Sequence, residues 1–161
     1  MRFPRCAVRW DIRIRRNKQA MDLKQVYREI VNEHNLHPGH KEPLMRPAVE
    51  RRGYNPTCGD DITLQLSYDD AGLISEVAFT GEGCAVSQAS TDIMLDMIEG
   101  KSKEEALRIV SSFMEMIRGN ADEEQIEALE EAAALQDIAH MPARVKCATL
   151  SWYTLEKMLL G

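Results

Sequence analysis

A strict two-residue alternation followed by a sudden change of period constrains this chain more than any other feature. Ile62, Leu64, Leu66 and Tyr68 alternate with Thr63, Gln65 and Ser67, the pattern of a strand with one buried face. Asp69-Asp70-Ala71-Gly72 then supplies turn chemistry, and Leu73 to Thr80 resumes as a second strand with Val77 and Phe79 on one face. These two segments predict an antiparallel hairpin. Val49 to Asn55 is the candidate for a third, edge strand. After Gly83 the apolar residues Val86, Ala89, Ile93 and Met97 recur at helical spacing up to Gly100. A short sheet that ends directly in a helix must bury its apolar face under helices, so the expected class is α+β, a small three-stranded antiparallel sheet covered by helices.

The remaining segments supply the helices. Leu23, Val26, Tyr27, Ile30 and Val31 predict an amphipathic helix from Asp22 to about His34, stopped before Pro38-Gly39. Residues 35–48 read as a loop. Ser102 and Glu105 have capping-box spacing ahead of Leu107, Val110, Phe113, Met114 and Ile117, with Gly119 as the stop. Asp122 and Gln125 repeat that signal ahead of Ile126, Leu129 and Ala133. Pro142 suits the first turn of a last helix lined by Val145, Ala148, Trp152, Leu155 and Leu159. Met94, Met97, Met114 and Met116 read as core filling rather than a binding groove.

Charge and length narrow the function. With 161 residues, one domain can bury a core without disulfide staples. Residues 1–20 carry a net charge of +6, which leaves −12 on the rest. The basic leader is expected to be disordered, either an upstream start or an added extension, ahead of a single domain at 21–161. The acidic body argues against nucleic acid as a partner. No window approaches the roughly 18 consecutive apolar residues of a membrane-spanning helix, so no membrane association is expected.

Four cysteines are too few and too scattered for a disulfide scaffold, and Cys6 lies in the leader. Cys58, Cys84 and Cys147 each fall at an element end, where a scaffold presents functional groups, although isolated cysteines are commonly small core residues. Cys58 and Asp60 are two apart in what reads as an extended segment, with Gly59 letting the backbone approach closely. Cys84 follows Gly81-Glu82-Gly83 at a helix start, where the dipole favours thiolate. Cys147 is expected on a flank of the last helix beside Arg144 and Lys146, whose charge favours thiolate too. Three sulfurs and one carboxylate suit tetrahedral zinc, although a C-x-D pair is less specific than paired C-x-x-C knuckles. His34, His37 and His40 gather around Pro38-Gly39, but a loop setting argues against a metal site there. Tyr54 and Asn55 are expected to shape the turn that presents Cys58, and the Glu-rich run from Glu123 to Glu131 reads as a solvated helix face.

The segments Asn55-Pro56-Thr57-Cys58-Gly59-Asp60, Gly81-Glu82-Gly83-Cys84 and Pro142-Ala143-Arg144-Val145-Lys146-Cys147-Ala148-Thr149-Leu150-Ser151-Trp152 resemble the three cysteine motifs of the U-type (IscU/NifU-N-like) iron–sulfur assembly family. The likeness runs in order over roughly residues 22–160. It is nearer the SufU branch than the IscU branch, because Lys146 stands where the latter has a His before the third Cys, and Pro142-Ala143-Arg144-Val145-Lys146 replaces its Pro-Pro-Val-Lys motif. The stretch around Met116–Leu135 also looks like the extra segment of SufU proteins.

The resemblance implies a cytoplasmic, zinc-dependent sulfurtransferase that accepts persulfide sulfur from a SufS-type pyridoxal-phosphate cysteine desulfurase and passes it to downstream iron–sulfur assembly machinery. It implies Cys58, Asp60, Cys84 and Cys147 as Zn2+ ligands and Cys58 as the sulfur acceptor. Arg144 is a candidate for steering the persulfide or its acceptor thiolate, against the equally good reading of a solvated Arg near a helix start. The alternative is a scaffold assembling a transient [2Fe-2S] cluster on the same residues. A third reading is a non-catalytic zinc-stabilised adaptor, against which the Asp ligand counts.

Overall fold

The computed structural model describes residues 23–161, so the basic leader lies outside the described residues. Helix α1 (Leu23–Leu36) precedes strands β1 (Val49–Asn55), β2 (Asp60–Tyr68) and β3 (Ile74–Glu82). Helices α2 (Ala85–Ile98), α3 (Lys103–Arg118) and α4 (Glu123–Ala128), a 3-10 helix (Glu130–His140) and helix α5 (Pro142–Leu160) complete the chain. The strands form one antiparallel sheet in the order β1-β2-β3, as the alternation predicts. Ile62, Leu64 and Leu66 of the central strand are fully buried, and Phe79 and Val77 of β3 join them. Asp69 closes the hairpin by accepting the N–H groups of Ala71 and Leu73, each at 2.9 Å.

Helix α2 is the axle of the domain. Unlike an amphipathic surface helix it is buried nearly all round, including Ser87, Ser90, Thr91 and Asp92, and each buried polar group must therefore find a partner. The Ser90 hydroxyl donates to Ala148 O at 2.6 Å and accepts from the Trp152 indole at 2.9 Å, joining α2 to α5. Trp152 also stacks on Phe113, with ring centroids 3.8 Å apart. Ser90→Ala should leave the indole N–H buried and unpaired, lowering stability by about 1–3 kcal/mol. A urea titration reads this as a lower midpoint with an unchanged slope.

Both predicted capping boxes are present: Ser102 with Glu105, and Asp122 with Gln125. The helix begun at Asp122 nevertheless stops at Ala128, and Ile126 and Ala133 are only partly buried. The reason is a change of period. Leu129, Ala132, Leu135 and Ile138 are all buried, and their spacing of three matches the three residues per turn of a 3-10 helix. Glu130, at the break, has φ +50°, the one positive φ outside glycine among the described residues. Glu131 is not part of a fully solvated face, because its carboxylate reaches His34 at 2.9 Å.

Candidate metal centre

Two connections meet at one end of the sheet. Asn55 pairs with Asp60 across β1 and β2, and Asp61 pairs with Glu82 across β2 and β3, so the Cys58 loop adjoins the start of α2. The loop is a tight turn rather than an extended segment: Asn55 O accepts from Gly59 N at 2.8 Å and Asn55 Oδ1 from Thr57 N at 3.1 Å. Asn55 therefore shapes the turn as expected, whereas Tyr54 faces outward with Arg52 above its ring. Gly59 serves a different purpose from the one predicted. A Cβ there would meet nothing within 4 Å, but its φ of +72° is the left-handed conformation that closes the turn.

The close approach belongs to Gly83. A Cβ at Gly83 would lie 2.2 Å from Ser87 Oγ and 2.9 Å from Asp60 Oδ1. The missing side chain lets the Asp60 carboxylate reach the α2 N-terminus, where Oδ1 accepts the Cys84 N–H at 2.9 Å. Such an outer contact orients a metal-binding carboxylate. Gly83→Ala should lower zinc affinity by roughly 10–100-fold, the usual effect of disturbing an orienting contact. Competition with a chromophoric chelator measures it.

Cys58 is exposed, Cys84 is half-buried and Cys147 is buried. The ligand atoms of Cys58, Asp60 and Cys147 lie within 4.8 Å of one another, and the Cys147 and Cys58 sulfurs are 3.0 Å apart. Cys84 is not in that group of three: its sulfur caps α2 by accepting the Ser87 N–H at 3.4 Å. Its charge is nonetheless felt by Cys147, and its N–H holds Asp60. Cys147 sits inside the apolar core rather than on a flank of α5. Burial, the Cys58 thiol and the charges of Cys84 and Asp60 push the Cys147 thiol upward, which corrects the expectation that Lys146 would favour its thiolate.

Asp60 is completely buried, and its Oδ2 has no hydrogen-bond partner. The other buried side-chain N or O atoms without a partner among the described residues are Asn55 Nδ2, at the base of the Cys58 loop, and Ser151 Oγ, one turn beyond Cys147. A buried carboxylate oxygen without a donor is costly, and so is a Cys147 thiolate beside neighbouring negative charge. A cation bound by these groups removes both penalties. The residues fit a thiophilic divalent ion.

Arg144 lies in the first turn of α5 and is exposed. It is near enough to Tyr27 to draw that phenol down, although burial raises it more. His37 and His40 lie in the segment between α1 and β1, as expected, but His34 does not. His34 belongs to α1 and is buried, donating from Nδ1 to Asp92 Oδ2 at 2.7 Å and from Nε2 to Glu131 Oε2 at 2.9 Å. Burial alone would lower its pKa, but the two carboxylates raise it to about 10. His40 is raised likewise: Asp96, at 2.5 Å, outweighs the opposing effect of burial. His37 remains exposed.

A small α+β domain with a cysteine-rich candidate cation site at one end of its sheet is thus the class that fold and site define. Residues 26–149 match the family described as the NifU-like N-terminal domain, and the chain belongs to that family. It is 39% identical over 137 residues to the iron–sulfur cluster assembly scaffold protein IscU of Streptococcus pyogenes serotype M1, covering 85% of this chain and 84% of the relative. It is also 39% identical over 136 residues to the zinc-dependent sulfurtransferase SufU of Bacillus subtilis (strain 168), covering 84% and 90%. A crystal structure described as an iron–sulfur cluster assembly scaffold protein for the SUF system, FiSufU of Fervidobacterium islandicum AW-1, superposes with a TM-score of 0.77 at 34% identity, covering 84% of this chain and 97% of that one. No helix among the described residues is long and apolar enough to cross a membrane.

Proposed function

We propose that this protein serves iron–sulfur cluster assembly as a zinc-dependent sulfurtransferase, with Cys58, Asp60, Cys84 and Cys147 holding the ion and Cys58 accepting sulfur. The observation that carries this reading is the pairing of an exposed Cys58 sulfur, 3.0 Å from the buried Cys147 sulfur, with the partnerless Oδ2 of buried Asp60. The exposed Cys58 thiol is one that a sulfur donor can reach. Identity to a relative named a zinc-dependent sulfurtransferase supports the same reading.

When bound, zinc supplies the positive charge that keeps the thiolates deprotonated. Everything else is assigned to the chain's own groups. The Cys84 N–H orients Asp60, and Cys147 anchors the centre in the core. The Asn55 turn carries Cys58 outward. The Cys58 thiolate attacks the outer sulfur of a donor persulfide; the sulfur–sulfur bond of the donor breaks, its inner sulfur leaves as thiolate, and Cys58 ends as the persulfide. Arg144, exposed in the first turn of α5, is assigned to attracting the anionic donor.

The partner implied is a pyridoxal-phosphate cysteine desulfurase of the SufS type, because such an enzyme presents sulfur as a persulfide. Its turnover of L-cysteine to alanine, with and without this protein, tests the reading. Acceleration that saturates with added protein is expected, and an unchanged rate contradicts it. The second reading is a scaffold for a [2Fe-2S] cluster. It draws on the relative named IscU and on the same donors, which can also hold iron.

A further inference from the structure

A second set of ligand types lies farther along α2 and has no part in the reading above. His34 in the last turns of α1, and Asp92 and Asp96 one turn apart on α2, bring donor atoms within 4.8 Å of one another. These residues are not surface acids: His34 is 2% exposed and Asp92 1%. Each is held from outside by a further group. Glu131 Oε2 holds His34 Nε2 at 2.9 Å, the His40 N–H holds Asp92 Oδ1 at 3.0 Å, and the His40 ring holds Asp96 Oδ1 at 2.5 Å. Metal-binding imidazoles and carboxylates are oriented in this way by outer partners.

Charge points in the same direction. Asp92, Asp96 and Glu131 bring three carboxylates against two imidazoles, so the cluster stays negative whether or not both rings are protonated. Asp92 is buried while the Asp96 and Glu131 side chains are each 21% exposed, so the carboxylate in excess of the two rings lies toward solvent, where a divalent cation would offset it. Asp96 also lines a surface cavity of about 230 Å³ together with Glu99, Lys101 and Glu130, so this member of the cluster faces solvent. Glu131, the outer partner of His34, directly follows the strained Glu130.

We propose that His34, Asp92 and Asp96 form a second divalent-cation site, separate from the cysteine centre. One imidazole and two carboxylates make a harder set than three thiolates, suited to Mn2+, Fe2+ or Zn2+. The ion takes the place of the proton between His34 Nδ1 and Asp92 Oδ2, and that proton passes to solvent. No electron transfer is involved. Cys84 and Asp92 are eight residues apart on α2, about 12 Å along its axis, so the two sites share one rigid element while using no common ligand.

Mn2+ is the suitable probe, because it competes poorly with zinc for thiolates. The full chain, loaded with one equivalent of zinc, is titrated with Mn2+ while electron paramagnetic resonance reports the free ion. The parent is expected to bind one Mn2+ with its zinc content unchanged. Asp92→Asn and Asp96→Asn should each weaken Mn2+ binding at least tenfold. Asp96 is partly exposed, so its variant is expected to fold, and circular dichroism before titration verifies that. Mn2+ should raise the melting temperature of the parent but not of Asp96→Asn. Absence of Mn2+ binding by the parent, or equal binding by folded Asp96→Asn, overturns the site and leaves His34 as an imidazolium between carboxylates. Neither result bears on the cysteine centre, whose zinc content is read in the same sample.

Discussion

Replacing Cys58 by Ser should abolish stimulation of a cysteine desulfurase while leaving the fold and the docking surface intact. The position of Cys58 is the reason. It sits exposed on the Pro56–Gly59 turn, outside the apolar core that encloses Cys147 and meets Cys84. A serine hydroxyl is close in size but is neither a persulfide former nor a comparable metal ligand. Loss of Cys58 removes the one exposed thiol among the described residues and leaves three of the four proposed ligands, so zinc is expected to bind more weakly but still bind. Cys84→Ser and Cys147→Ser should cost more metal, since one caps α2 and the other fills the core. Desulfurase turnover and co-purification with the enzyme, measured on one sample, test both halves. If Cys58→Ser still accelerates turnover and mass spectrometry finds the added sulfur on Cys84 or Cys147, the acceptor has been assigned wrongly.

Removing zinc should have the second large effect. An ion that binds only the folded chain stabilises it by about 4 kcal/mol when the free ion is held a thousandfold above its dissociation constant. For a domain of this size that corresponds to a fall in melting temperature of roughly 8–16 °C on chelation. The reason is the environment of the donors: a buried, partnerless Asp60 oxygen near a Cys147 thiol pushed upward by burial and its neighbours. The sheet and the α2–α5 packing around Trp152 and Phe113 do not depend on those groups. Far-ultraviolet circular dichroism should therefore keep its helical signal below the lowered transition. Repeating the measurement on Asp96→Asn keeps any contribution of the proposed second site out of the comparison. An unchanged melting temperature after verified zinc removal would contradict a stabilising role.

The sheet was legible because period two and turn residues coincide along Ile62–Thr80, and the helix starts because Ser102, Asp122 and Pro142 leave local signals. The segment after Asp122 departs from a 3.6-residue helical pattern because Leu129, Ala132, Leu135 and Ile138 follow a period of three. Both chemical clusters depend on tertiary contact, which periodicity does not encode. For the cysteines, motif resemblance supplied what spacing alone left open. It placed the residues together but not their environments: Cys147 is a core residue, and the close approach lies at Gly83 rather than Gly59. His34 carries no local signal of Asp92, 58 residues away, because their pairing exists only once α1 packs on α2.

The metal content of freshly purified protein, taken together with its absorption spectrum, tests the account most directly. The account predicts zinc that is lost from Cys84→Ser and Cys147→Ser, in a solution with no visible absorption. A reddish-brown protein whose iron and acid-labile sulfide disappear with the same substitutions would contradict it and assign these residues to cluster assembly instead.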